Sequence, residues 1–181
     1  IMKEFEKVIS FLDFGFDSSG TTQYLHIDKR EERAVMKKFK LSGRYVVLAP
    51  FVKYGPAKMW PVESWQELIN RLKTKVVIAG TGEDMKHSLK LPASACDLRA
   101  KTTVTEMKYI IRNAVAFIGN DSGLMHVADA IGTPLIAIFG STSPRWTGPV
   151  SKKAVVFSSS LYCAPCFEEK CRFGHYNCLK G

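Results

Sequence analysis

Four short segments carry the residue types that could do chemistry. "GNDSG" (119–123) ends the apolar run Ala116–Ile118 and opens an amphipathic helical pattern. The first N–H groups of a helix have no partner within it, so those of Ser122, Gly123 and Leu124 form a ready seat for an anion. Gly123 lets a ligand come close to the backbone. The helix dipole adds about 0.3–1 kcal/mol, rising to ~2 when partly buried. Asp121, in the same turn, reads either as the helix N-cap or as a carboxylate that takes polyol hydroxyls or pairs with a cation. His126 lies across the helix from the Leu124, Val127 and Ile131 stripe, and is either solvated or turned into a cleft.

Lys58 stands in "GPAKMWP" (55–61), a Gly/Pro segment between an apolar run and a helical one. It is either an ordinary surface lysine or a mobile point charge that neutralises phosphate. "GTGED" (80–84) brings Glu83, which could hold ribose hydroxyls or simply favour the first turn of a helix. Neither a G-x-G-x-x-G fingerprint nor a Walker lysine accompanies it, which ranks a dinucleotide oxidoreductase last. "GSTSP" (140–144) is the fourth segment, with no role assigned to its individual side chains.

"CAPCFEEKCRFGHYNC" (163–178) spaces its cysteines C-x2-C-x4-C-x6-C around His175. Cys163, Cys166, Cys171 and Cys178 are therefore candidate ligands of a structural zinc. Reduced structural thiols and disulfides formed on purification are the alternatives. Cys96, in an apolar run, reads as a small core residue.

The elements that must position these residues alternate from residue 44 onward. Apolar, β-branched runs fall at 45–49, 75–80, 95–100, 115–119, 134–140 and 154–157. Between the first two, Trp65, Leu68, Ile69 and Leu72 repeat as one face of a helix, with Pro61 near its start. "TVTE" (103–106) reads as a capping box, and after Gly123 the apolar positions are Leu124, Val127, Ala128 and Ile131. Strands alternating with crossover helices predict an α/β fold: a Rossmann-like, doubly wound parallel sheet of about six strands. In such a sheet all four loops open at the carboxyl edge, where ligands bind. Residues 1–40 break this rhythm with a helical segment, "DSSGTT" (17–22) and a charged helix at 29–40. They are expected to form a linker or the edge of a neighbouring domain, leaving 41–181 as the ligand-binding domain with a Cys-rich end at 160–181.

The 181 residues are enough for one filled core. A content of 46% hydrophobic and 24% charged residues is that of a soluble globular protein, and no apolar run is long enough to span a bilayer. The net charge of +9 is spread along the chain with no basic arm or interleaved aromatics, so no nucleic-acid partner is expected. An acidic small molecule or anionic surface suits it better. With no signal peptide and Ile1 ahead of Met2, the chain reads as a piece of a longer protein from a reducing compartment.

Taken together, "GPAKMWP", "GNDSGLMHVADAIGTPLIAIFGSTSP" and "CAPCFEEKCRFGHYNCL" resemble, in this order, the C-terminal half of the family-9 glycosyltransferases, across about residues 44–180. The resemblance implies one half of a GT-B fold, the half that binds ADP-heptose. It implies inverting transfer of L-glycero-D-manno-heptose to the inner core of lipopolysaccharide in Gram-negative bacteria. By motif, Lys58 would contact the diphosphate, and Ser122, Gly123 and Leu124 would cradle phosphate. Asp121 would bind the sugar and organise the site, with His126 close by and Glu83 as a ribose ligand. No cofactor would be required, since lysine and helix dipole replace a divalent ion. The partners would be a phosphorylated lipid A–core acceptor and the protein's own N-terminal domain, which carries an aspartate base. The enzyme would work in the cytoplasm, peripherally at the inner membrane. Without the domain that carries the base, the chain should bind donor and not transfer sugar. A UDP- or GDP-sugar transferase of the same fold is the nearest alternative. A non-catalytic nucleotide-binding or zinc-stabilised interaction module is the alternative of another class. A sugar diphosphate presents anion and polyol side by side, which accounts for a helix N-terminus and a carboxylate in one turn.

Overall fold

The computed structural model describes residues 25–180. Its elements in chain order are α1 (Lys29–Lys38), β1 (Tyr45–Ala49), α2 (Val62–Arg71), β2 (Lys75–Ile78), β3 (Cys96–Asp97), α3 (Val104–Arg112), β4 (Ala116–Asn120), α4 (Gly123–Ile131), β5 (Leu135–Phe139), α5 (Pro144–Thr147), β6 (Ala154–Ser158) and α6 (Asn177–Lys180). Single 3-10 turns at Pro56–Lys58 and Gly82–Lys86 follow β1 and β2. The six strands form one sheet in the order β3-β2-β1-β4-β5-β6, and every neighbouring pair is parallel. The α/β, Rossmann-like architecture expected from the alternating runs is the one found.

Side chains alternate across a strand, and here each face meets its own helical layer. Tyr45, Val47 and Ala49 of β1 join Met107, Ile110 and Ile111 of α3 and Met125, Ala128 and Ile131 of α4 on one face. Val46 and Leu48 join Trp65, Leu68 and Ile69 of α2, and Leu179 of α6, on the other. Both faces of the central strands are thus covered, as a parallel sheet requires. Cys96 is half-buried against the first of these clusters.

Thr103 and Glu106 form the capping box read from "TVTE". The buried face of α4 is turned from the one expected. Met125, Ala128, Asp129 and Ile131 are buried, whereas Leu124 and Val127 are only half covered. Asp129 can go under because its carboxylate accepts from the Val150 and Ser151 N–H groups at 2.8 and 3.0 Å.

The expected linker at 1–40 lies outside the described residues up to position 24. The described part packs on the sheet domain, with Val35 of α1 in the first core cluster. Glu32 of α1 accepts from Asn113 at 2.8 Å and pairs with Arg112 at 3.2 Å, and Tyr109 Oη donates to Glu31 at 2.6 Å. These contacts tie α1 to α3.

Candidate active site

The strand order reverses between β1 and β4, since the chain leaves β1 toward β2 and later returns to β1's other side with β4. At such a switch point the two following loops part and leave a crevice. The loop after β1 carries Lys58, and the loop after β4 carries Asp121. Lys58 Nζ lies 2.7 Å from Asp121 Oδ2, with side-chain exposures of 15% and 4%. Two residues distant in sequence are thus joined at the predicted ligand edge.

Local packing holds the Lys58 turn from three sides. Fully buried Asn120, the last residue of β4, donates from Nδ2 to the Pro50 carbonyl (2.8 Å) and accepts the Trp60 N–H on Oδ1 (3.0 Å). Ala57, also buried, accepts the Ser141 N–H at 2.9 Å and donates its own N–H to the Glu169 carbonyl at 3.0 Å. The approach is close enough to require glycine at two points. A Cβ on Gly140 would meet the Ala57 oxygen at 2.4 Å, and one on Gly55 would meet the Glu169 oxygen at 2.5 Å. The Cys-rich segment is therefore a brace for the Lys58 turn. Phe167 reinforces it: its N–H reaches the Ser141 carbonyl (2.7 Å), its carbonyl accepts from Tyr54 Oη (2.6 Å), and its ring stacks on Trp146. Lys58 Nζ in turn sits 5.0 Å from the centroid of Tyr54.

Asp121 is not the N-cap of α4. Ser122 holds that position in extended backbone, and its side chain caps no N–H. The carboxylate is instead drawn back by three donors on a single oxygen. Oδ2 accepts from Lys58, from Thr142 Oγ1 at 2.7 Å and from Thr147 Oγ1 at 3.1 Å. The three contacts all fall on this oxygen and none of them on Oδ1.

With no side-chain cap from Ser122, one residue beyond Asp121, the first N–H groups of α4 are left without a capping bond. A Cβ at Gly123 would meet nothing within 4 Å, so there is room above the helix start. The hydroxyl oxygens of Ser122 and Ser141 are buried without a partner among the described residues, leaving two donors unspent near this edge. His126 is exposed one turn along α4, and Leu124 is half-buried. Glu83 is exposed on the 3-10 turn after β2; Asp84 takes the capping role beside it, bonding Thr81 N and Oγ1 at 2.6 and 2.9 Å.

The arrangement offers a cation, a helix N-terminus and a carboxylate in one crevice. That combination neutralises phosphate while orienting hydroxyls. The sequence alone does not single out Asn120, Thr142 and Thr147. Asn120 stood inside the quoted "GNDSG", and Thr142 inside "GSTSP", but polar loop residues carry no periodicity that reveals their partners.

The five cysteines are free thiols. Cys163 and Cys171 approach the two ring nitrogens of His175, at 4.0 and 3.8 Å. Among the described residues no group of three or more His, Cys, Asp or Glu side chains converges as a metal site, so the proposed ligand set is brought together only in part. N–H groups of the turn, that of Tyr176 foremost, hold the Cys171 thiol below its ordinary range. Burial, followed by the neighbouring cysteines, pushes the Cys178 thiol up.

Residues 2–177 match glycosyltransferase family 9 (heptosyltransferase). The chain belongs to this family. It is similar to lipooligosaccharide heptosyltransferase 2 of Haemophilus influenzae, with 35% identity over 150 residues covering 74% of this chain and 43% of the relative. Lipopolysaccharide heptosyltransferase 2 of Escherichia coli K12 is 32% identical over 145 residues, covering 73% and 42%. Among solved structures, E. coli ADP-heptose lipopolysaccharide heptosyltransferase II superposes with a TM-score of 0.67 at 31% identity, over 75% of this chain and 45% of that one. A family-9 glycosyltransferase from Veillonella parvula shares the fold at 20% identity, with a TM-score of 0.68 over 91% of this chain and 51% of that one. The chain thus spans less than half the length of the curated family-9 relatives named here.

Proposed function

We propose that this chain is the donor-binding half of a heptosyltransferase that moves L-glycero-D-manno-heptose from ADP-heptose to the lipopolysaccharide inner core. The observation that carries the reading is the Lys58–Asp121 pair at the switch point, beside the open N-terminus of α4. In this reading Lys58 and the N–H groups of Ser122, Gly123 and Leu124 bind the diphosphate. Asp121 holds a sugar hydroxyl through Oδ1, His126 lines the cleft, and Glu83 takes the ribose.

The reaction breaks the bond between heptose C1 and the diphosphate oxygen while an acceptor hydroxyl forms a new bond to C1 from the opposite face. The acceptor proton passes to an aspartate on the N-terminal half of the enzyme, and ADP leaves with the bonding pair. Negative charge builds on the leaving diphosphate, so donors fixed before the reaction lower the barrier. Removing one such donor typically costs about 10²–10³ in turnover.

The whole enzyme acts on a phosphorylated lipid A–core acceptor at the cytoplasmic face of the inner membrane. The net positive charge of +9 favours such a surface, and the described residues contain no helix long and apolar enough to cross a membrane. A structural zinc on Cys163, Cys166, Cys171 and Cys178 belongs to the proposal as a stabiliser with no part in transfer. The spacing and the approach of two thiols to His175 favour it. Elemental analysis of the purified protein tests it, with about one zinc per chain expected.

The test of the main reading is product analysis. The full-length gene product is incubated with a heptose-deficient lipopolysaccharide acceptor and ADP-heptose, or a UDP- or GDP-sugar. Heptose transfer from the ADP donor alone supports the proposal. Transfer from a UDP- or GDP-sugar keeps the fold and overturns the substrate.

A further inference from the structure

Arg99 lies two residues past the end of β3 and is 6% exposed, an uncommon place for a guanidinium. Its surroundings explain how it is kept there. Nε lies 3.0 Å from Asp97 Oδ1 and Nη2 lies 2.7 Å from Asp97 Oδ2, a two-point fork. Nη1 donates to the carbonyls of Asp84 (3.0 Å) and His87 (2.8 Å). Those two carbonyls belong to the turn after β2, the one that presents Glu83. The guanidinium also faces Phe51 at 5.7 Å, and Phe51 stacks on His87 with ring centroids 4.6 Å apart. Phe51 belongs to the loop after β1 that leads to Lys58. Arg99 therefore links the loops after β1, β2 and β3 at the ligand edge.

The two sides of this edge are held by different means. Asn120, Thr142 and Thr147 hydrogen-bond around Lys58 and Asp121 at the switch point, and none of these bonds goes to the turn after β2. That turn has Arg99 as its charged anchor. We propose that Arg99 is the positioning residue for the nucleoside end of the donor site, fixing the 81–87 turn so that Glu83 meets the ribose. The proposal rests on the donor-site reading and adds a residue outside the phosphate cradle. Lysine cannot replace arginine here, because a single ammonium cannot span the Asp97 fork and two carbonyls together.

The experiment compares ADP with inorganic pyrophosphate, which occupies only the phosphate cradle. Both are titrated calorimetrically into the full chain and into Arg99→Lys, with thermal melts run beside them. ADP affinity is expected to fall about tenfold while pyrophosphate affinity stays within about twofold, because only the ribose ligand is displaced. A merely structural role would weaken both ligands together, and that result, or unchanged ADP binding, overturns the proposal while leaving the donor-site reading intact. Should Arg99→Lys fail to fold, Asp97→Asn removes the fork's counter-charge with little change of shape and is judged by the same split. Wild-type protein that takes up no ADP overturns the donor-site reading itself, and the proposal with it.

Discussion

Lys58 Nζ stands 2.7 Å from Asp121 Oδ2, across the gap where two adjacent parallel strands send their loops apart. The pair is nearly dry on the Asp121 side, yet it leaves one carboxylate oxygen and the start of α4 open. In the whole enzyme Lys58→Ala is expected to lower turnover by about 10²-fold or more, because it removes a cation from the leaving diphosphate. Steady-state kinetics with ADP-heptose measures this, and unchanged kinetics would remove Lys58 from the phosphate site.

Thr142 and Thr147 share the same Asp121 oxygen. Hydrogen bonds to a charged group contribute about 1.5–3 kcal/mol. Thr142→Val, which keeps the shape and deletes the donor, should destabilise the protein by an amount in that range. Urea unfolding of the variant reads it out, and a loss well below 1 kcal/mol would mean that Lys58 and Thr147 satisfy the carboxylate without Thr142.

Gly140 touches the turn that carries Lys58. Its missing Cβ leaves space filled by the Ala57 carbonyl and by Leu179. Gly140→Ala should cost about 1–3 kcal/mol through overpacking and weaken ADP binding at the same time, since the displaced Ala57 carbonyl belongs to the Lys58 turn. Wild-type stability together with wild-type ADP affinity would show that the brace has slack.

Acid stability has a named source beside the turn after β2. The Arg99 fork, bonded to Asp97, holds its carboxyl below the usual carboxylate range. A carboxylate depressed in the folded state stabilises above its unfolded value of 3.8, and that contribution is lost as pH falls through the folded value. Melting temperature should therefore drop more steeply below pH 3.8 in the wild type than in Asp97→Asn. Parallel curves would mean that the pair contributes no pH-dependent stability.

The architecture was legible in the sequence because its cause is periodic. Trp65, Leu68 and Ile69 recur at helical spacing, and the apolar runs are too short for anything but strands. Lys58 and Asp121 were legible as residues of suitable type on suitable loops. Their pairing was not, since it depends on the strand order that places β4 beside β1. The support of the site was hidden for a related reason. Thr142, Thr147 and Asn120 act through contacts across 21, 26 and 70 positions, respectively, and a polar loop residue gives no local sign of such a partner. The buried face of α4 differs from the one its apolar spacing predicts because two N–H groups distant in sequence satisfy the Asp129 carboxylate.

The central claim is that one crevice at the β1–β4 switch point binds the nucleotide diphosphate through Lys58. Calorimetric titration of ADP, UDP and GDP into this chain and into its Lys58→Ala variant tests it most directly. The account predicts binding selective for ADP that weakens markedly in the variant. Equal ADP affinity in wild type and Lys58→Ala would contradict it.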